Sequence, residues 1–306
     1  MESISVVIPV YNGSPNLNEL SDRLIQVCND LKTDFEIIYV DDNSPDASWQ
    51  IISSLTNENR HIKGIRLSRN FGQHNALLCG IRAARYNIIV TMDDDLQHPP
   101  EAVPQLLEKI EHGFDAVYAP PIDGQHGFLR NMASQLTKLA LQRVMGIETA
   151  RNASAFRAFR ASVRDSFSEY RGPYVSIDVL LTWGTTNFGT IPVKHVPRKA
   201  GTSNYSVSSL ITHAINLMTG FTTLPLRIAS ILGFLFMLFG IGVLGWVLVS
   251  YLVYNNTAPG FAFLASIIAI FSGAQLFSLG IIGEYIARIH FRTIDRPTYH
   301  VRDTLL

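Results

Sequence analysis

Between Arg227 and Glu284 the chain contains no Asp, Glu, Lys or Arg. No other feature narrows its possible folds as far. Residues 228–254 and 261–283 are mostly apolar, and each run is long enough as a helix to span a bilayer. Two buried core helices are the soluble alternative, but runs apolar on every face suit lipid better. Residues 255–260, NNTAPG, read as the turn between them. Ala265, Ala269 and Gly273 stand four apart, a ridge that lets helices pack closely within one chain or between copies. Arg227 precedes the pair, Arg288, Arg292, Arg296 and Arg302 follow it, and the turn has no basic residue. The positive-inside rule then places the turn outside and both termini in the cytoplasm.

The rest of the chain has ordinary polarity. Charged residues make up 16% of the 306, against about 25% in soluble proteins, and the deficit lies in the charge-free stretch. Net charge is zero, which argues against a nucleic-acid partner. Cys28 and Cys79 lack metal spacing and read as buried thiols in a reducing compartment. The chain runs straight into a strand at Ile4, so no cleavable signal peptide is expected.

Apolar runs at 4–10, 35–40, 64–67, 88–92 and 116–119 read as strands. Helical patterns at 16–31, around 49–55, at 74–85 and at 101–112 separate them. This order predicts an α/β fold: right-handed βαβ units forming an open, Rossmann-like, mostly parallel sheet. Ligands of such sheets bind beyond the carboxyl ends of the strands. Tyr11, Asp41, Asp42, Arg69, Asp93, Asp94 and Asp95 all fall at such ends, on one rim. Helices are expected at 128–145 and 157–170, a strand at 187–193 and a loop at 201–205. Apolar residues from 207 to 221 repeat at helical spacing, as in a core-packing helix or one lying in a membrane interface. The place of this stripe, just before the charge-free stretch, favours the interface. The predicted division is a catalytic domain at 1–205, an interfacial helix at 206–225, two spanning helices at 226–289 and a tail at 290–306.

The segment 88–101, IIVTMDDDLQHPPE, carries the densest chemistry. Alternate residues of an extended segment point the same way, so Asp93 and Asp95 can converge while Asp94 turns aside. Converged carboxylates suit a hard divalent cation that also takes substrate phosphates. A solvated acidic turn capping the next helix is the plainer alternative.

Four segments in order, VVIPVYN, VDDNSPD, LSRNFGQHNALLCGI and MDDDLQHPPE, resemble the family 2 glycosyltransferases with a GT-A fold. The polyprenyl-phosphate branch, which includes dolichol-phosphate mannose synthase and bacterial undecaprenyl-phosphate sugar transferases, is the most similar. The resemblance implies that Asp93 and Asp95 form the metal-binding pair, with Gln97 a third ligand for Mg²⁺ or Mn²⁺. It implies that Asp41, Asp42, Pro9 and Tyr11 hold the donor's base and ribose. Arg69, Asp94 and Ser203 would be further donor contacts, and Arg130 and Arg198 would meet phosphates. For Arg69, Arg130 and Arg198 a surface position is the alternative. The implied partners are a nucleotide-sugar, a polyprenyl phosphate, the lipid bilayer and further copies of the chain in a tetramer. The implied location is the bacterial inner membrane, with the catalytic domain cytoplasmic.

Two positions depart from the resemblance. Ala155 stands where relatives often have an acidic or hydroxyl residue, and Asn204 replaces the lysine of their GxSKY loop. Asp178 is an unexpected carboxylate, either a contact to acceptor or sugar or a helix-start aspartate. A processive polysaccharide synthase would have more spans and a QxxRW segment, and neither is found. A non-catalytic membrane scaffold is opposed by the intact Asp93, Asp95 and Gln97.

Overall fold

The computed structural model describes residues 2–122, 152–172, 174–194, 219–254, 260–294 and 296–305. Contacts divide the chain into two units, one of Met1–Ala214 with Asp295–Leu306 and one of Ile215–Ile294.

The first unit is built on an eight-stranded mixed sheet. Its strands are β1 (Ile4–Val10), β2 (Phe35–Asp41), β3 (Ile62–Leu67), β4 (Ile88–Thr91), β5 (Ala116–Tyr118), β6 (Arg157–Arg160), β7 (Phe188–Thr190) and β8 (Val301–Leu305). They lie in the order β7-β5-β6-β4-β1-β2-β3-β8. β4, β1, β2 and β3 are mutually parallel, as the βαβ reading requires. β1 and β2 are buried along their whole length, which explains why their sequences are apolar apart from Ser5, Glu36 and Asp41.

Helices cover both faces. Ile4, Val6, Ile8 and Val10 share a core with α1 (Leu17–Asp30) and α4 (Val103–Glu111). α1 contributes Leu17, Leu20, Leu24, Val27 and Cys28, spaced three and four apart along one face. On the other face α3 (Gln73–Ala83) comes so close that a β-carbon on Gly80 would lie 2.4 Å from Val7 Cγ1. Both cysteines are buried and unpaired with each other. α2 (Ser48–Glu58), α5 (Ala161–Asp165) and α6 (Ile177–Gly184) complete the helices described in this unit.

Two expectations change, and one strand is unannounced by the sequence. The helix expected at 157–170 is instead β6, antiparallel to both β4 and β5, followed by the short α5. Ala158 and Phe159 are both fully buried, on opposite faces of β6, as suits a strand between two layers. The expected strand at 187–193 shortens to β7 plus one bridge between Pro121 and Val193. β8 runs antiparallel along β3, pairing Gly64 with Leu305 and Arg66 with Asp303. Tyr299 lies 5.7 Å from the Arg82 guanidinium and anchors the approach to that strand.

The second unit holds α7 (Leu224–Tyr254) and α8 (Phe261–Thr293). Windows at Leu224–Val247 and Ile270–Thr293 have mean hydropathies of 2.4 and 1.3, and both helices are long and apolar enough to cross a membrane. Phe236 meets Phe271 edge-on at 5.6 Å, and Tyr285 donates to the Thr222 carbonyl at 2.6 Å. Leu235, Phe239, Trp246, Leu276 and Ile286 face outward on this pair. In water such a surface would be a large exposed apolar patch.

Candidate active site

The rim where β1, β2, β3 and β4 end is made of short loops fastened to one another. Asn12 and Gly13 donate backbone N–H groups to Ser44 Oγ and Ser48 Oγ, each at 3.1 Å, and Ser14 N–H reaches Asp46 Oδ2 at 3.2 Å. Asn12 and Asn43 both take positive φ, where asparagine is among the tolerated residues.

Asp41 and Asp42 sit inside this lattice rather than on its surface. Asp41 accepts from Ser44 N–H at 3.1 Å and faces Arg66 Nε at 3.4 Å. Asp42 accepts from Phe71 N–H and Gly72 N–H, each at 2.7 Å. It therefore holds the β3–α3 loop where Arg69 and Phe71 lie. Burial raises the pKa of both carboxyls, and their hydrogen bonds oppose the rise. Pro9 is buried in β1, whereas Tyr11 is 46% exposed. Arg69 is exposed, with its guanidinium 4.6 Å above the Phe71 ring.

The three consecutive aspartates diverge in role. Asp93 Oδ1 accepts from Gln73 Nε2 at 2.6 Å, and Asp95 Oδ1 from Gln97 N–H at 3.0 Å. Asp94, in the turn after β4, faces the loop after β1. Its Oδ2 is buried without a hydrogen-bond partner and points at Gly13. Burial, with the charges of Asp93 and Asp95, pushes the Asp94 carboxyl up to about 7. Gln97 is half-buried beside them.

The charges of Asp93 and Asp95, which help to raise the Asp94 carboxyl, crowd negative charge onto this rim, where a cation would relieve the repulsion. Among the described residues, no three His, Cys, Asp or Glu side chains come together as metal ligands. The donor set is thus sparse and all oxygen. It matches an ion that keeps waters and takes phosphate oxygens, as Mg²⁺ does, and not a closed structural site.

Arg130, Arg198 and Ser203 lie outside the described residues, as do Asn204, the expected helix at 128–145, the loop at 201–205 and most of the 207–221 stripe. The side chains of Ala265 and Ala269 are likewise not described.

Sequence reasoning missed Arg157 as a site-supporting residue. It is 2% exposed, extends from β6 and pairs with Asp178 in the first turn of α6. Its Nε donates to Thr91 Oγ1 at 3.0 Å, two residues before the aspartates. An arginine inside an apolar strand was the available signal. Asp178 is therefore a helix-start aspartate with a fixed partner.

Several known proteins share this architecture. The chain is 36% identical over 309 residues to the undecaprenyl-phosphate 4-deoxy-4-formamido-L-arabinose transferase of Shewanella sediminis, covering 100% of this chain and 93% of that protein. Glucosyl-3-phosphoglycerate synthase from Mycobacterium tuberculosis, solved with Mn²⁺, uridine diphosphate and glucosyl-3-phosphoglycerate, superposes with a TM-score of 0.53 at 17% identity. The match covers 71% of this chain and 78% of that one. Mannosyl-3-phosphoglycerate synthase from Rubrobacter xylanophilus gives 0.52 at 14% identity, over 71% and 72% of the two chains. These two establish the GT-A fold. The family model described as glycosyl transferase family 2 matches residues 5–167. With the whole-chain likeness to a named transferase, that match makes the chain an enzyme of glycosyl transferase family 2.

Proposed function

We propose that this enzyme moves a sugar, with inversion, from a nucleotide-sugar to a polyprenyl phosphate such as undecaprenyl phosphate. The product would feed synthesis or modification of a cell-surface glycan. One observation carries the reading: a single chain joins the Asp93–Asp94–Asp95 rim to two outward-facing apolar helices. That combination suits a water-soluble donor and a lipid acceptor. The name and full-length likeness of the Shewanella sediminis relative support it.

The residues divide the work. Pro9 and Tyr11 wall the base, and Arg69 contacts the donor from the loop that Asp42 holds. Asp41 and Asp42, both buried, serve the base and ribose by fastening the loops that carry Tyr11 and Arg69. Asp93, Asp95 and Gln97 would hold Mg²⁺ or Mn²⁺, which neutralises charge on the departing diphosphate. Asp94 and Ser203 would be further donor contacts. Arg130 and Arg198 bind phosphate through charge-assisted hydrogen bonds. The second pKa of a phosphomonoester is about 6, so the acceptor is already a nucleophile at neutral pH. No side-chain base is then required, and orientation supplies most of the rate.

In this reading α7 and α8 cross the bacterial inner membrane, with the sheet unit and both termini cytoplasmic. Copies associate as tetramers through the Ala265, Ala269 and Gly273 ridge.

The test is a screen of nucleotide-sugars against undecaprenyl phosphate with purified protein, reading lipid products by mass spectrometry. A glycosylated lipid phosphate is expected. Transfer to a hydroxyl acceptor alone would overturn the reading.

A further inference from the structure

A closed ring of contacts surrounds the carboxyl end of β4. Asp93 Oδ1 accepts from Gln73 Nε2 at 2.6 Å. The next residue, His74, takes the Ile177 N–H on Nδ1 at 3.3 Å. The residue after Ile177 is Asp178, which pairs with Arg157 Nη1. Arg157 Nε donates to Thr91 Oγ1 at 3.0 Å, and Thr91 lies two residues before Asp93. Every link is a hydrogen bond, an ion pair or one or two peptide steps. The ring ties β4, α3, α6 and β6 together at one point.

Arg157 is the costly member. Its guanidinium is 2% exposed, and the Tyr118 ring lies 5.9 Å away. Asp178, whose side chain is 19% exposed, is the counter-charge that makes this burial tolerable. Apolar residues of similar size commonly stabilise a core at least as well as a buried ion pair does. A core-filling role alone therefore does not account for the pair. The guanidinium instead offers two directed donors in a fixed plane. One meets Asp178, and the other meets Thr91, whose hydroxyl donates onward to the Ala155 carbonyl at 2.9 Å. Thr91 and Arg157 also face each other in the β4–β6 register.

We infer that Arg157 and Asp178 are positioning residues that set the Asp93 carboxylate through Thr91 on one side and Gln73 and His74 on the other. Neither touches the donor. The inference rests on the reading that Asp93 works on a cation-bound nucleotide-sugar. The main-chain carbonyl of Ala155 is the terminal acceptor of the Thr91 link.

The test uses full-length protein in detergent and three variants. Thr91→Val cuts the link with little change of volume. Arg157→Lys keeps the charge but loses the planar fork. The double variant Arg157→Met with Asp178→Leu replaces the pair by apolar side chains. Mn²⁺ uptake is measured by electron paramagnetic resonance with UDP, GDP, CDP or dTDP, whichever the wild-type protein binds, alongside melting temperature, kcat and KM.

Thr91→Val should melt within a few degrees of wild type yet lose about tenfold in Mn²⁺ affinity and about tenfold or more in kcat, with acceptor KM unchanged. Arg157→Lys should show the same defect despite its retained charge. The double variant should match them when it folds. Should it not fold, Thr91→Val decides alone. Wild-type Mn²⁺ affinity and kcat in Thr91→Val, or in a folded double variant, would overturn the inference while leaving the donor reading intact. Wild-type protein that takes up no Mn²⁺ with any of the four nucleotides would overturn the donor reading and this inference with it.

Discussion

Asp94 Oδ2 occupies the space beside Gly13 so closely that a β-carbon on Gly13 would lie 2.2 Å from it. The glycine that ends β1 is thus matched to the middle aspartate at the end of β4. Val10 Cγ1, at 3.0 Å from the same point, closes the other side.

Gly13→Ala should therefore displace Asp94 and, through the chain, Asp93 and Asp95. The expected result is a loss of more than about tenfold in turnover and about 1–3 kcal/mol in stability, as for an overpacked core. Melting curves and steady-state rates check both. Adding Asp94→Ala should restore the melting temperature of the Gly13→Ala protein, because the clash is with that side chain. A double variant that melts no higher would show the strain to lie elsewhere.

At the opposite ends of the strands, Glu36 predicts how stability depends on pH. It is fully buried in β2, accepts from Ser5 Oγ at 2.6 Å and Arg85 N–H at 2.8 Å, and pairs with Lys63 Nζ at 2.8 Å. Burial favours the neutral acid, but these bonds outweigh it and the pKa falls below the ordinary glutamate value. A depressed carboxyl pKa contributes stability above the unfolded value, about 4.3, that is lost as pH falls through the folded value. Glu36→Gln should cost about 1–3 kcal/mol near pH 7. The difference from wild type should shrink below about pH 4. Denaturant melts at several pH values test this. A cost that stays constant down to pH 3 would exclude the ionised form as its source.

Different parts of the molecule were legible for different physical reasons. β1 and β2 could be read directly because strands buried on both faces are continuous apolar runs ended by turn residues. The rim acids followed, since parallel strands deliver their carboxyl ends to one side. β6 was misread because Arg157 and Arg160 bracket only two apolar residues and the helical pattern of α5 begins at once. β8, with the sequence VRDTL, pairs on one side only and leaves most of its side chains in solvent, so no hydrophobic signal marks it. Asp41 and Asp42 stand at the carboxyl end of β2, but their burial and their bonds to Ser44, Phe71 and Gly72 are tertiary facts that no spacing encodes. The Arg157–Asp178 pair is another.

The edge role of β8 yields a prediction of its own. The His300 carbonyl accepts from Ser68 N–H at 2.9 Å, next to Arg69 in the donor-side loop. Deleting residues 301–306 would expose the β3 edge, an invitation to intermolecular pairing. It would also loosen the loop that begins at Ser68. The truncated protein should melt several degrees lower, aggregate sooner and show a raised KM for nucleotide-sugar with a smaller change in kcat. Light scattering and steady-state kinetics check this. An unchanged donor KM in soluble truncated protein would separate the strand from the loop.

The acidic rim gives the sharpest test of the donor chemistry. Asp95 is nearly buried, and its Oδ1 already accepts the Gln97 N–H. The Asp95→Asn side chain keeps the size and this bond while removing one negative charge from a cluster of three. Relief of repulsion should leave the fold at least as stable. Turnover should nevertheless fall by about two orders of magnitude or more, because a neutral amide holds a hard divalent cation weakly at the diphosphate. Chelator should abolish wild-type activity, and Mg²⁺ or Mn²⁺ should restore it. If Asp95→Asn turned over at near the wild-type rate, or wild-type protein stayed fully active in excess chelator, the aspartates would be fastening the rim, as Asp41 and Asp42 do, and the charge on the leaving diphosphate would have to be met by arginines.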